Sequence, residues 1–210
     1  MKIAEISMCS DKDGFSNDPF GYSALAWHKW GMLANANGLE IDITKPPTVE
    51  DLKNPVLWLS HANALSEAAV CLARSSQTFE SMPPSIRTIC HSQYHAVVLM
   101  LVGYSLEVCL KAMILMRLGV EEFTRQEKKH FHHQLDDLAQ FISNLSEKEL
   151  AILKGLTHFV RWAGRYPDPG SRRVKDAEEV FEISEAYEIS AKDLFELSTK
   201  VMKHVNTVVN

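Results

Sequence analysis

Cysteine, positive charge, strand-type alternation and uninterrupted apolar runs are all scarce in this chain. Its four cysteines, Cys9, Cys71, Cys90 and Cys109, lie far apart in 210 residues and form no C-x-x-C pair, which removes the signature of paired-cysteine chemistry. They fall mostly inside apolar helical patterns, where a thiol behaves as a small hydrophobe, so buried, reduced thiols are expected. Twenty-two Lys and Arg stand against 27 Asp and Glu, a formal net charge of -5. A surface that coats nucleic acid needs a marked excess of cations, so any nucleic-acid contact has to be local. The opening Met1-Lys-Ile-Ala-Glu-Ile has an early acid and no apolar core of signal-peptide length, and a cytoplasmic location in a prokaryotic-type chain is expected. The longest apolar stretch, Ala96 to Leu118, is interrupted by Glu107 and Lys111 before a bilayer's thickness is reached. It reads as a buried central helix, and no membrane association is expected. Internal repeats and low-complexity segments are missing too.

What the chain does have is helical periodicity. With 46% hydrophobic and 23% charged residues there is ample material for one sizeable core. A first helix is expected from about Asp18 to Asn37, with Pro19 near its start, Trp27 and Trp30 on one side and Asn37-Gly38 as its stop. Leu39 to Ile43 suggests a short extended piece. Pro46-Pro47 breaks the chain, and Thr48 to Asp51 offers a capping box for a helix that starts properly near Asn54 and reaches about Ser75. Met82-Pro83-Pro84-Ser85 precedes a long helix to Leu118, which Gly119 ends. Glu121 to His130 reads as a loop, and His132 to Phe141 as a short helix with Leu135, Leu138 and Phe141 at three-residue spacing. Ser146 to Glu149 is a capping-box start for a helix to about Trp162. Gly164 to Lys175 reads as a loop with four basic residues, and Asp176 to about Val208 as one final amphipathic helix. The expected fold is all-α: an antiparallel, up-and-down helical bundle over residues 81–210, with residues 1–80 as an N-terminal helical extension packing on it.

Charge is unevenly spread. From Lys111 to Lys175 there are twelve cations against eight acids, from Asp176 to Asn210 three against eight. Arg161, Arg165, Arg172, Arg173 and Lys175 lie within fifteen residues, beside Trp162 and Tyr166. Guanidinium groups suit phosphate oxygens and aromatic rings stack on bases, so this segment is a candidate nucleotide or single-stranded RNA contact. The alternative is a solvated loop whose arginines pair with the acidic residues that follow. Glu107 and Lys111, four apart with the acid first, are either a structural ion pair, a link to Arg161 and Arg165, or the lining of a pocket. His130, His132 and His133 with Glu127 lack a suitably spaced fourth ligand, so neither a metal nor any other cofactor is expected. His91 and His95 are expected to serve helix packing.

Tyr104-Ser-Leu-Glu107-Val-Cys-Leu-Lys111-Ala resembles the E-x-x-L-K-A central helix of HEPN domains, the nucleotide-binding helical bundles of higher eukaryotes and prokaryotes. His132-His133-Gln-Leu135 with Leu138 is similar to that family's H-D-L-x-x-L segment, and Gly164-Arg165-Tyr166-Pro167-Asp168 to its R-Y-P turn. The resemblance runs from about Ser85 to Val208. It implies a four- to five-helix bundle, commonly a homodimer, from a family rich in endoribonucleases of defence and toxin-antitoxin systems and in catalytically silent binding relatives. The family's ribonucleases carry an Arg followed after four to six residues by His, and no histidine stands at that distance after Arg161 or Arg165. Arg125 and His130 have the spacing but fall before the histidine segment and are taken as a chance match. The resemblance therefore implies an RNA or nucleotide partner, contacted through Arg161, Arg165, Tyr166 and His132 with Glu107 and Lys111 behind them, and no assigned catalytic residue. Two alternatives remain: a helical interaction or scaffold protein with a protein partner, and a metal-independent ribonuclease with a rearranged site using His132 or His158.

Overall fold

The computed structural model describes residues 12–24 and 26–209, and among these all regular structure is helical. In chain order the helices are α1 (Lys12–Asn17), α2 (Pro19–Ser23), α3 (Ala26–Ala36), α4 (Val49–Leu52), α5 (Pro55–Arg74), α6 (Pro84–Leu118), α7 (Val120–Arg125), α8 (Glu127–His130), α9 (Leu135–Leu138), α10 (Glu147–His158), α11 (Val174–Tyr187) and α12 (Ala191–Val209). A π-helical turn, Phe159–Ala163, continues α10. The protein is thus all-α, and it divides into two compact units, Met1–Leu57 and Trp58–Asn210.

In the first unit, local side-chain chemistry sets the bends. Asp18 caps α2 by accepting a hydrogen bond from the Gly21 amide at 2.9 Å. The helix expected over 18–37 is interrupted at Ala24, where α2 ends in a turn, and resumes as α3. Gly38, at φ 88°, takes the chain out of α3 in the left-handed region that glycine tolerates. Among the described residues the piece after it pairs with no strand. The Asn35 side chain instead holds Ile41 from both sides, accepting from its amide at 2.7 Å and donating to its carbonyl at 2.8 Å. The Thr48–Asp51 capping box forms, but the helix it starts lasts four residues, and Pro55 opens α5 separately.

The second unit is built around α6. Its residues Val102, Leu106, Cys109, Leu110, Met113 and Leu115 are almost fully buried, surrounded by Ala62 and Ala69 of α5, Phe123 of α7, Leu135 of α9, Leu153 and Leu156 of α10 and Leu197 and Val201 of α12. By length and composition α6 is apolar enough to cross a membrane, yet 67% of its most apolar window is buried inside the protein, as in a core helix. Small residues allow close approach: a Cβ on Gly103 would meet Val160 Cγ2 at 2.5 Å, and one on Gly164 would meet Met100 Cβ at 2.4 Å and the Ala96 carbonyl oxygen at 2.9 Å.

Three helix expectations are corrected here. The 121–130 segment is not a loop but α7 and α8, anchored by the fully buried Phe123. The helix expected over 132–141 is a single turn, α9, and both histidines precede it in irregular backbone. The final helix is two, because Glu188 adopts a left-handed conformation (φ 46°) and Ser190 starts α12 as a cap. Ser190 accepts from the Asp193 amide at 3.3 Å, while its own amide and hydroxyl donate to the Asp193 carboxylate at 2.8 and 2.6 Å. The thiols also depart from expectation: Cys109 is buried, Cys90 is intermediate, Cys71 is exposed, and Cys9 lies outside the described residues.

Ion pairs tie α10 to the last two helices. Lys154 and His158 both meet Glu179 of α11, Lys148 meets Asp193 of α12 at 3.0 Å, and Glu149 accepts from Lys200 of α12 at 2.7 Å. Partial burial pushes the Glu149 carboxyl up, but the hydrogen bonds from Lys200 and Ser146 outweigh it and hold it below its usual value. Its contribution to stability is therefore complete above about pH 4.3 and is lost as pH falls through the lower folded-state value. Glu149→Gln should lower the melting temperature at neutral pH and flatten its fall on acidification; a wild-type acid limb in the variant would contradict the linkage. Gly164→Ala should destabilise the fold by about 1–3 kcal/mol, because neither the Met100 Cβ nor a backbone carbonyl can rotate away; urea unfolding measures it. A thiol reagent should modify Cys71 in the native protein and leave Cys109 untouched, since burial pushes its thiol up to about 12.

Candidate functional site

The buried side of α6 carries two charges that an apolar environment tolerates only as partners. Glu107 and Lys111 are 5% and 6% exposed, one helical turn apart. Lys111 Nζ donates to Glu107 Oε1 at 2.7 Å, the structural ion pair among the three alternatives left open by the sequence. The other carboxylate oxygen, Oε2, lies 2.9 Å from His133 Nδ1, so one carboxylate joins α6 to the segment before α9. Lys111 also sits 5.2 Å from the centre of the Phe131 ring. Tyr104, one turn before Glu107, faces the His133 ring edge-on at 6.3 Å and donates its hydroxyl to the Val160 carbonyl at 3.4 Å.

Around Tyr104 and Glu107 the structure therefore brings together two of the segments singled out in the sequence, the central helix and the histidine segment, with the Val160 carbonyl just ahead of the arginine segment beside them. His133 is the member that sequence reasoning left out of the site. Two histidines in tandem gave no way to choose between them, because irregular backbone, not helical spacing, aims them.

His132 goes elsewhere. Its Nδ1 accepts from the Gln134 amide at 3.1 Å, and its Nε2 lies 3.2 Å from Asp137 Oδ2. Arg161, in the π-helical turn, is half-buried, and its side chain has no hydrogen-bond or ion-pair partner among the described residues. Arg165 and Tyr166 follow in the exposed turn, where the guanidinium lies 5.2 Å from the tyrosine ring centre and donates to its hydroxyl at 3.4 Å. Arg172, Arg173 and Lys175 make no ion pair with α11 among the described residues, so the loop-to-helix pairing weighed as an alternative is not what holds this segment. Glu179 is engaged by Lys154 and His158 instead.

No protein-family model, curated protein or solved structure matches this chain. The chemistry of the site must then be argued from its own groups. Arg125, of the coincidental Arg-to-His spacing, is paired with Glu122, and His130 is buried in a stack on Phe123 with ring centres 5.5 Å apart. His158 is 5% exposed with Nε2 3.0 Å from Glu179, which leaves no access for a substrate. No group of three or more His, Cys, Asp or Glu side chains among the described residues is arranged to hold a metal ion.

The Glu107–Lys111 pair makes a thermodynamic prediction. Glu107→Ala should cost about 3–5 kcal/mol by stranding a buried ammonium, while Glu107→Leu with Lys111→Met should lie close to wild type. Equal losses in the single and double variants, by urea unfolding, would show that the charges are not coupled.

Proposed function

We propose that this chain is a HEPN-like RNA- or nucleotide-binding module, an antiparallel helical bundle that acts as a cytoplasmic homodimer in a defence, toxin-antitoxin or RNA-processing setting. The observation that carries the reading is the Arg165–Tyr166 pair. An exposed guanidinium with no carboxylate partner among the described residues lies on a tyrosine ring that is itself 55% exposed. That is a surface on which a base stacks while the arginine meets a phosphate. Arg161, equally uncommitted, adds a second cation at the start of the same segment. The meeting of the family-like central helix and histidine segment, through Glu107 and His133, supports the HEPN part of the reading.

Binding without cleavage is the form this takes. The histidine that the family's ribonucleases place four to six residues after the arginine is missing. Of the two histidines that a rearranged site would use, His132 has both ring nitrogens engaged and His158 is buried against Glu179. A protein-interaction role has its own support. The stretch Val49–Arg74 has a mean hydropathy of 1.2 over its most apolar window, of which 11% is buried.

Purified protein in EDTA should retain a labelled single-stranded RNA uncut, and Arg165→Ala should weaken retention roughly tenfold, the worth of one charge-assisted phosphate contact. Cleavage that disappears in the variant would replace this reading with a ribonuclease. Failure of the wild type to hold RNA or mononucleotides would leave the protein-interaction role.

A further inference from the structure

A cleft of about 350 Å³ opens between the end of α6, α8 and the α9 turn. Its polar wall holds Arg117, Lys129, His130 and His132, with Asp137 as the one carboxylate, and its apolar wall includes Leu118 and Phe141. Two fixed cations against one carboxylate leave the cleft net positive with both imidazoles neutral. The carboxylate is also occupied: Asp137 meets His132 on one oxygen and accepts from Gln140 Nε2 at 2.7 Å on the other. Arg117 and Lys129 have no carboxylate partner among the described residues, and Glu122 on α7 is taken by Arg125 and Gln126. Arg117 lies 4.8 Å from the centre of the Phe141 ring, which sets its guanidinium over a ring of the cleft's apolar wall.

His130 is the second, independent observation. It is 9% exposed, and its Nε2 is a buried ring nitrogen with no hydrogen-bond partner among the described residues. A nitrogen withdrawn from water without a partner is unfavourable, and a ligand's acceptor oxygen would satisfy it. Burial, with Lys129 adding to it, holds this imidazole below its ordinary value, so near neutrality it serves as a neutral donor.

We propose that this cleft binds a small phosphate monoester. Arg117 and Lys129 hold the phosphate oxygens, His130 Nε2 donates to one of them, and the organic part lies against Leu118 and Phe141. A guanidinium fork, an ammonium and a neutral N–H suit the several acceptors of a phosphate dianion, and the volume sits at the small end of ligand pockets. This site is separate from the Arg165–Tyr166 surface and does not rest on the RNA reading.

The test is titration of phenyl phosphate into protein carrying ¹⁵N-labelled histidine, alongside Lys129→Gln, Arg117→Gln and Arg165→Ala. Expected is saturable binding at millimolar concentration or below, with the His130 ring resonances moving. Affinity should fall at least tenfold in each cleft variant and stay unchanged in Arg165→Ala. Both cleft substitutions are at exposed positions, and thermal unfolding confirms that the variants fold. No saturable shift at His130, or wild-type affinity in the folded Lys129→Gln and Arg117→Gln proteins, would overturn the proposal. Displacement of phenyl phosphate by a 5′-phosphorylated oligoribonucleotide, but not by its 5′-hydroxyl form, supports the site with RNA ends as the source of the phosphate. Retention of phenyl phosphate against both supports it with free monoesters as the source. Loss of RNA retention with phosphate binding intact would sink the RNA reading alone.

Discussion

A carboxylate buried in the middle of the most apolar helix is the constraint on which the second unit depends. Glu107 is tolerated there because each of its oxygens has a cationic or N–H partner, Lys111 from the same helix and His133 from the segment ahead of α9. The requirement is mutual. Lys111 is as buried as its partner, and the irregular backbone at residues 131–134 is aimed by what His133 and Phe131 must reach. An apolar core would allow α6 and the α9 segment to slide against one another, whereas this pair and its histidine admit one register.

Three further acids join helices to one another in a chain of net charge -5. Glu149, Glu179 and Asp193 are used to fasten α10, α11 and α12 to one another, through Lys200, Lys154, His158 and Lys148. Each carboxylate takes up a lysine of its own, so these pairs leave the balance of the remaining charges as it was. Arg161, Arg165 and the cations of the α6–α8 cleft stand without a carboxylate partner among the described residues, although the chain as a whole is acidic.

How much of this was legible in the sequence follows from what each signal encodes. Pro84 and Gly119 bracket α6, and Ser146 with Glu149 starts α10, because proline geometry, a left-handed glycine and a capping box are properties of a few adjacent residues. The Glu107–Lys111 pair was legible for the same reason. Other features were hidden. The Ser190–Asp193 cap was overlooked because the apolar stripe runs through it unbroken, and α7 and α8 because a polar interval conceals one buried anchor, Phe123. The choice of His133 over His132 as partner of Glu107, and the cleft around His130, depend on where irregular backbone points, which no periodicity records.

The π-helical turn at Phe159–Ala163 has a wider consequence. A turn that takes five residues where four would serve sets back the phase of everything after it by roughly 100°. That offset brings Gly164, and no bulkier residue, against Met100 and Ala96 of α6, and it releases Arg165 and Tyr166 outward. Among relatives of this chain, the stretch from His158 to Gly164 should therefore vary in side chain on its outer face while its length stays fixed. Losing one residue would press Arg165 into the place that only a glycine fills.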